Sequence, residues 1–552
     1  MESILGTHNP TGTAVPASIF YLDQQQPPAQ RPGNKALSKA VSLHLEGKRD
    51  AAARTLSKAI EDGERDPALY AALGHVQYEM QEYSSAASTY EILSHLDPTH
   101  RTAHFNLGVC QGNLKNWKAA AEAFRHAVDA DGTRADALLG MGISLLYAGS
   151  PAQAMEPLDK YLRIFPDHEQ ATFGKAVALQ QAGRHGEAVE LYRKVLARNS
   201  RSEEALSNLV SLFLERKDYD SVRRYAAMLS ELQPDSTVAM EALAALAFVD
   251  ADYLSAARLC RSLAEIVPER YENWFNLGVA YHKMGSFQKA VQAYQQAATL
   301  NAQCSQIHLN LGVAHQELSD LASARTCYDK TLELDPNQPG AMWNLALVLE
   351  QQNERHWAEK LYARIPENSP EFCDACFRLG YLRLLRGDYA SSGDSFQQCL
   401  LRRPEWPEAT LNAGIALARS GRAKEARHYF EETLMMRPDS SDAVRGLAAL
   451  ALDQQDYDSA YDLHKRLIEM GERSPELLYN AGLICHKRGD MEEAVQFYTQ
   501  ALTEDPQFAE ALLNLGHAQM ELGREDEARS SWRKAIREKP ELAQTYFEPT
   551  AN

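Results

Sequence analysis

Cys373 and Cys376 form the chain's one Cys-x-x-Cys pair, and Cys399 follows 23 residues after it. Two thiolates at that spacing are what a zinc ion or a dithiol–disulfide couple requires. A closed zinc site needs two further ligands, and only Cys399 is near in the sequence. The pair also falls at the first and fourth positions of a helical pattern, where one-turn spacing follows from the helix itself. These cysteines therefore read as packing residues. The 17 histidines show no recurring ligand spacing, and there is no glycine-rich phosphate loop, HExxH or Gly-x-Ser-x-Gly. No catalytic residue, no metal and no cofactor is expected.

The residue that does recur at a fixed spacing is asparagine. Asn106, Asn208, Asn276, Asn310, Asn344, Asn412, Asn480 and Asn514 are separated by multiples of 34 residues. A neutral amide is both donor and acceptor, so a row of them can pair with a peptide backbone whatever its side chains. Beside the row stand Phe105, Leu139, Phe173, Phe275, Leu309, Trp343, Phe377, Leu411, Tyr479 and Leu513. Aromatics such as Phe275 and Trp343 would suit side-chain pockets next to a backbone clamp. The alternative is that the asparagines hydrogen-bond within the fold, as half-buried amides usually do. Both readings stand at this point.

The elements that must position this row follow a 34-residue frame, repeated fifteen times from Gly33 to Leu542 without insertion or deletion. Position 8 is glycine or alanine in 14 of 15 frames and position 20 is alanine in 13, for example Gly278 with Ala290. Small residues there let two antiparallel helices approach. Proline at position 32 in ten frames ends the second helix. The pattern predicts a first helix over about positions 1–14 and a second over about 18–31 in each frame.

Within Asn273–Leu300, Trp274, Leu277, Gly278 and Tyr281, then Ala290 and Tyr294, carry the helix–turn–helix signature of the tetratricopeptide repeat. The chain resembles that family over nearly its whole length. The resemblance implies an all-α solenoid (a right-handed α-α superhelix) of 15 tandem repeats. It also implies a non-enzymatic protein–protein interaction scaffold that takes an extended peptide or partner protein in its concave groove. The asparagine row is similar to that in the repeat domain of the O-linked N-acetylglucosamine transferases, without the catalytic domain that follows there. This leaves a second expectation, the substrate-recognition subunit of a separate glycosyltransferase. The lysine–asparagine–arginine clamp of chaperone-binding relatives is not rebuilt, since Arg378 and Arg445 do not lie in adjacent frames.

Charge narrows the partners. A net charge of −18 argues against nucleic acid and against an anionic membrane surface. No secretory signal or apolar run of spanning length is visible, and eight unpaired-looking cysteines suit a cytoplasmic location. Asp374, Glu408, Asp442, Glu476 and Glu510 occupy position 2 of five successive frames. They suit the helix dipole, and their sum would favour a basic or neutral ligand.

Three segments depart from the pattern. Residues 1–32, rich in Pro and Gln and carrying Ile19–Leu22, read as a flexible tail, and 543–552 as a C-terminal capping tail. The first repeat, with Lys39 and Glu64 at atypical positions, reads as a cap. Residues 203–270, where Val210 and Val222 replace the small crossing residues and Ala226 and Cys260 the usual aromatic, read as a looser seam or as compensated packing.

Overall fold

The computed structural model describes residues 35–132 and 134–543. Thirty α-helices alternate with short turns in fifteen antiparallel pairs, and no strand occurs among the described residues. The first pair is Lys35–Leu45 with Arg49–Glu61 and the last Ala509–Glu521 with Glu525–Glu538. Most helices fall within a residue or two of the expected positions, as Tyr271–Lys283 and Phe287–Leu300 illustrate. The described residues form two compact units, one ending at Leu300 and the other starting at Asn301. In each unit a helix packs on its repeat partner and on the next repeat, and first helices of neighbouring repeats also touch. The expected tails, 1–32 with its apolar patch and 543–552 except Ala543, lie outside the described residues.

Each repeat turns at position 15. Every residue there has a positive φ: seven are not glycine, among them Lys217 and Ala251 at 56°, and the rest are glycines such as Gly285 at 70°. The turn closes with Ser286 N donating to Tyr281 O at 2.8 Å, and inside that bond Gly285 N donates to His282 O at 2.9 Å. This is how a left-handed residue satisfies the last carbonyls of a helix. Position 16 then starts the second helix, where Asp218, Asp252, Asp320, Asp388 and Asp456 each accept from the backbone N–H three residues on. The hydroxyl and amide of the serine at position 19 hold the carboxyls of Asp252, Asp320 and Asp456 below the usual aspartate range.

Position 8 explains the pairing of the two helices. In nine repeats it is glycine, and a Cβ there would run into the side chain at position 24 of the same repeat: Gly312 into Tyr328 at 2.6 Å, Gly108 into Phe124 at 2.8 Å, Gly142 into Leu158 at 2.6 Å. Those side chains are among the most deeply buried, with Tyr328 and Leu158 at 0 % exposure. A glycine inside a helix costs about 1 kcal/mol against alanine. Full burial of a large apolar side chain returns about 1.5–3 kcal/mol, so the close approach wins.

Of the two readings of segment 203–270, the packing favours compensation over a loose seam. Val210 and Val222 are buried, one apolar cluster runs from Phe105 through it to Leu246, and Tyr225 stacks on Phe213 with ring centres 5.6 Å apart. Tyr225, one residue before Ala226, supplies the ring that position 24 lacks there. The real irregularity lies in the tenth repeat, whose second helix stops early, at Arg355–Tyr362. Pro366 and Pro370 cannot donate the backbone hydrogen bonds a longer helix would need. The chain then turns, burying Ile365, before the next first helix opens at Phe372.

These contacts predict opposite outcomes for two substitutions. Ala251→Gly relieves a left-handed alanine and should raise thermal stability by up to about 1 kcal/mol. Gly312→Val overpacks against Tyr328 and should lower it by about 1–3 kcal/mol. Thermal unfolding of both variants beside the parent protein reads the two signs.

Candidate functional site

The first helices carry positions 5 and 6 side by side, so the apolar row and the asparagine row share one face. The asparagines are not equivalent. In the first unit, Asn106 and Asn208 are buried, at 5 % and 7 % exposure. Asn208 Nδ2 donates to the Tyr192 hydroxyl at 3.1 Å, and that hydroxyl donates onward to Gln180 Oε1 at 2.7 Å. Three repeats earlier, Asn106 stands beside the hydroxyl of Tyr90. Asn276 is half-buried, and its Oδ1 is buried with no hydrogen-bond partner.

In the second unit Asn514 is buried and donates to the Tyr479 hydroxyl at 2.8 Å, while Asn310 accepts from Gln306 Nε2 at 3.0 Å. Asn344, Asn412 and Asn480 are half-buried, and among the described residues none hydrogen-bonds their side chains. The row thus divides. Asn106, Asn208 and Asn514 serve the packing, and Asn310 has a partner on its own helix. The amide groups of Asn344, Asn412 and Asn480 are left for something else.

Position 5 divides the same way. Phe105, Leu139, Phe173 and Phe275 are all at 6 % exposure or less, so Phe275, against Tyr294, is core and lines no pocket. In the second unit Leu309, Trp343, Phe377, Leu411 and Tyr479 are half-exposed. Trp343 leans on Tyr362 with ring centres 5.5 Å apart, and Phe377 stacks on Trp406 at 4.6 Å. Free amides and accessible apolar side chains therefore coincide on the first helices of the second unit.

The acidic row is largely neutralised. Arg403 reaches Asp374 at 3.3 Å, Arg437 pairs with Glu408, Arg445 reaches Asp442 at 2.9 Å, and Lys539 reaches Glu510 at 2.7 Å. Three of the four cations stand at position 31 of the same repeat. The hydrogen bond from Lys539 keeps Glu510 below the usual glutamate range against the opposing effect of burial. A strongly negative face, expected from five carboxylates in a row, is not what these pairs leave. Arg378 is likewise engaged, by Glu350 at 3.3 Å, and Arg445 also holds Glu472 at 2.7 Å.

Of the three clustered cysteines, Cys373 is half-exposed and the other two stay in the core. Cys376 and Cys399 are buried in one apolar cluster with Phe396 and Leu400. Burial pushes their thiols up to about 11 and about 12. A thiolate is the metal ligand and the nucleophile, and these groups remain thiols at neutral pH.

Sequence reasoning missed one regularity that sorts the asparagines. Five of the six tyrosines at position 24 are followed 16 residues on by asparagine: Tyr90, Tyr192, Tyr294, Tyr328 and Tyr498. Phe124, Leu158 and Phe430 are instead followed by Gly140, Gly174 and Gly446. Tyr192 takes a bond from its asparagine, whereas Asn514 turns from Tyr498 to the Tyr479 hydroxyl and Tyr328 bonds Gln316. Of the asparagines with free amides, Asn412 and Asn480 follow Phe396 and His464, which offer no tyrosine hydroxyl.

Stacked helical hairpins in register define a helical-repeat protein. Three sequence models of the tetratricopeptide repeat match it, at 179–247 and 486–544, at 271–304, and at 71–135, 139–203, 309–371, 377–443, 411–471 and 446–507. The last of the three alone spans more than half of the chain. The chain belongs to the tetratricopeptide repeat family.

Among curated proteins, it is similar to the type IV pilus assembly protein PilF of Pseudomonas aeruginosa, 32 % identical over 114 residues, 20 % of this chain and 45 % of that protein. It is also similar to the uncharacterized protein y4yS of Sinorhizobium fredii, 37 % identical over 83 residues, 15 % of this chain and 46 % of that one. The chain spans about half the length of each. Among solved structures, YrrB, described as a TPR protein with an unusual peptide-binding site, is 21 % identical, covering 34 % of this chain and 98 % of its own, at a TM-score of 0.32. The Naa15/Naa10 complex bound to HypK-THB is 14 % identical, covering 94 % of this chain and 84 % of that one, at 0.33. At such TM-scores neither bears on what this chain does.

The thiol environments predict a labelling pattern. In the native protein a disulfide reagent should modify Cys304, Cys327 and Cys373, which are half-exposed, and leave Cys110, Cys260, Cys376, Cys399 and Cys485 until unfolding. Rapid native labelling of Cys376 or Cys399 would restore a metal or redox reading of this cluster.

Proposed function

We propose that the chain is a protein–protein interaction scaffold that holds an extended segment of a partner on the first-helix face of its second unit. Asn344, Asn412 and Asn480 would clamp the partner's backbone. Trp343, Phe377, Leu411 and Tyr479 would take its side chains. The observation that carries this reading is the set of half-buried amides without a hydrogen-bond partner beside accessible apolar residues. Half-buried amides normally find partners, and a bound backbone supplies both a donor and an acceptor.

First helices of successive repeats are spaced by about 10 Å, and an extended chain advances about 3.3 Å per residue. Neighbouring repeats then meet about every third residue of a bound strand. The four repeat intervals from Asn344 to Asn480 accommodate about 12 residues. The paired state of Asp374, Glu408, Asp442 and Glu510 favours a partner segment that is neutral or only weakly basic.

The test uses a partner segment recovered by affinity purification and mass spectrometry and then synthesised. The triple change Asn344→Ala, Asn412→Ala and Asn480→Ala should weaken its binding by about two orders of magnitude, at about 1 kcal/mol per amide, with the melting temperature unchanged. Asn514→Ala should do the reverse, lowering the melting temperature and leaving affinity alone. An unaltered dissociation constant in the triple variant would remove these amides from the mechanism.

A further inference from the structure

Outside the asparagine row, His44, His75 and Glu79 converge between the first two repeats. His75 and Glu79 lie one turn apart on the helix Pro67–Glu79, so they project from the same face. His44 comes from the last turn of Lys35–Leu45, the first helix of the preceding repeat. His44 Nε2 is 2.9 Å from Glu79 Oε2, His75 Nε2 is 3.4 Å from Glu79 Oε1, and the three ligand atoms all lie within 4.8 Å of one another. Their side chains are 28 %, 33 % and 26 % exposed, which leaves them reachable by an ion.

Arg49 Nε holds Glu79 Oε2 at 2.8 Å, the kind of outer contact that orients a ligating carboxylate.

The same three residue types fill the same three repeat positions, 12, 9 and 13, once more, as His486, His517 and Glu521 in the last two repeats. There His486 Nε2 meets Glu521 Oε1 at 3.2 Å, but His517 packs on Trp532 at 5.4 Å between ring centres. Among the described residues, only the N-terminal trio draws its ligand atoms into one cluster. The C-terminal trio is thus a built-in control.

We propose that His44, His75 and Glu79 form a binding site for a zinc-class divalent cation. Two imidazole nitrogens and one carboxylate oxygen are a three-ligand set that zinc takes with its fourth position left to water. The ion would take the place of the protons that the two Nε2 atoms share with the carboxylate, and would tie the first repeat to the second.

The test is titration of the purified, chelator-stripped full chain with Co²⁺ alone, followed by displacement with Zn²⁺. One equivalent of Co²⁺ should give the visible absorption of a tetrahedral nitrogen–oxygen site, and Zn²⁺ should abolish it. His75→Gln should weaken Co²⁺ binding by about 100-fold, at least what loss of an outer-shell partner costs, whereas His517→Gln should leave the curve unchanged. Glu79→Gln is the second variant, and circular dichroism checks that each remains helical. No absorption with the parent protein, or superimposable curves for the parent and His75→Gln, would overturn the proposal.

Discussion

Each repeat closes on the contact between position 8 of its first helix and the side chain at position 24 of its second. Where that side chain is a ring or a leucine, position 8 is glycine in nine of thirteen repeats, and a single added carbon there would intrude on it. Ala176 opposite Tyr192 and Ala346 opposite Tyr362 show how much the contact can open. In both, the phenol is tied down by position 12, through Gln180 and Glu350 at 2.7 Å and 2.6 Å. Helix spacing is therefore set locally, repeat by repeat, and nearest-neighbour contacts carry the array within each unit.

That contact reaches into the next repeat. The tip of the position-24 side chain arrives beneath position 6 of the following first helix. A bare ring there needs room, as Phe124 does against Gly140, where a Cβ would sit 2.7 Å away. A hydroxyl needs an amide, as Tyr192 does against Asn208. The residues of the asparagine row are consequently under two demands. Where a phenol lies beneath them they belong to the core. Asn344, above Tyr328, makes no such bond, and the Tyr328 hydroxyl goes to Gln316 at 2.8 Å. The half-exposed apolar residues of the second unit lie on the same helices.

The fold was legible because small residues and prolines recur in strict register over fifteen frames, and sterics leave few alternatives at those positions. The turn at position 15 was not legible, since Lys217, Ala251 and Ser319 hold a left-handed conformation that nothing in their side chains announces. The early end of Arg355–Tyr362 was readable from Pro366, but the regular frame concealed it. The candidate site was legible as a row and not as a selection. Distinguishing Asn208 from Asn412 requires knowing that Tyr192 or Phe396, 16 residues earlier, lies underneath, a contact between repeats rather than within one. The histidine trio escaped for the same reason, because His44 and Glu79 are 35 residues apart and meet only when two repeats stack.

The account rests on a coupling between position 24 and position 6 of adjacent repeats, and a double-mutant cycle on Tyr192 and Asn208 measures it most directly. Tyr192→Phe strands the Asn208 amide, and Asn208→Gly removes the donor to a hydroxyl that keeps its bond to Gln180, whereas the two together recreate the phenylalanine–glycine pairing the chain already uses at Phe124 and Gly140. Hydrogen-exchange protection of the surrounding helices should fall in each single variant and recover in the double, with a coupling energy of about 1 kcal/mol. Losses that simply add in the double variant would contradict it.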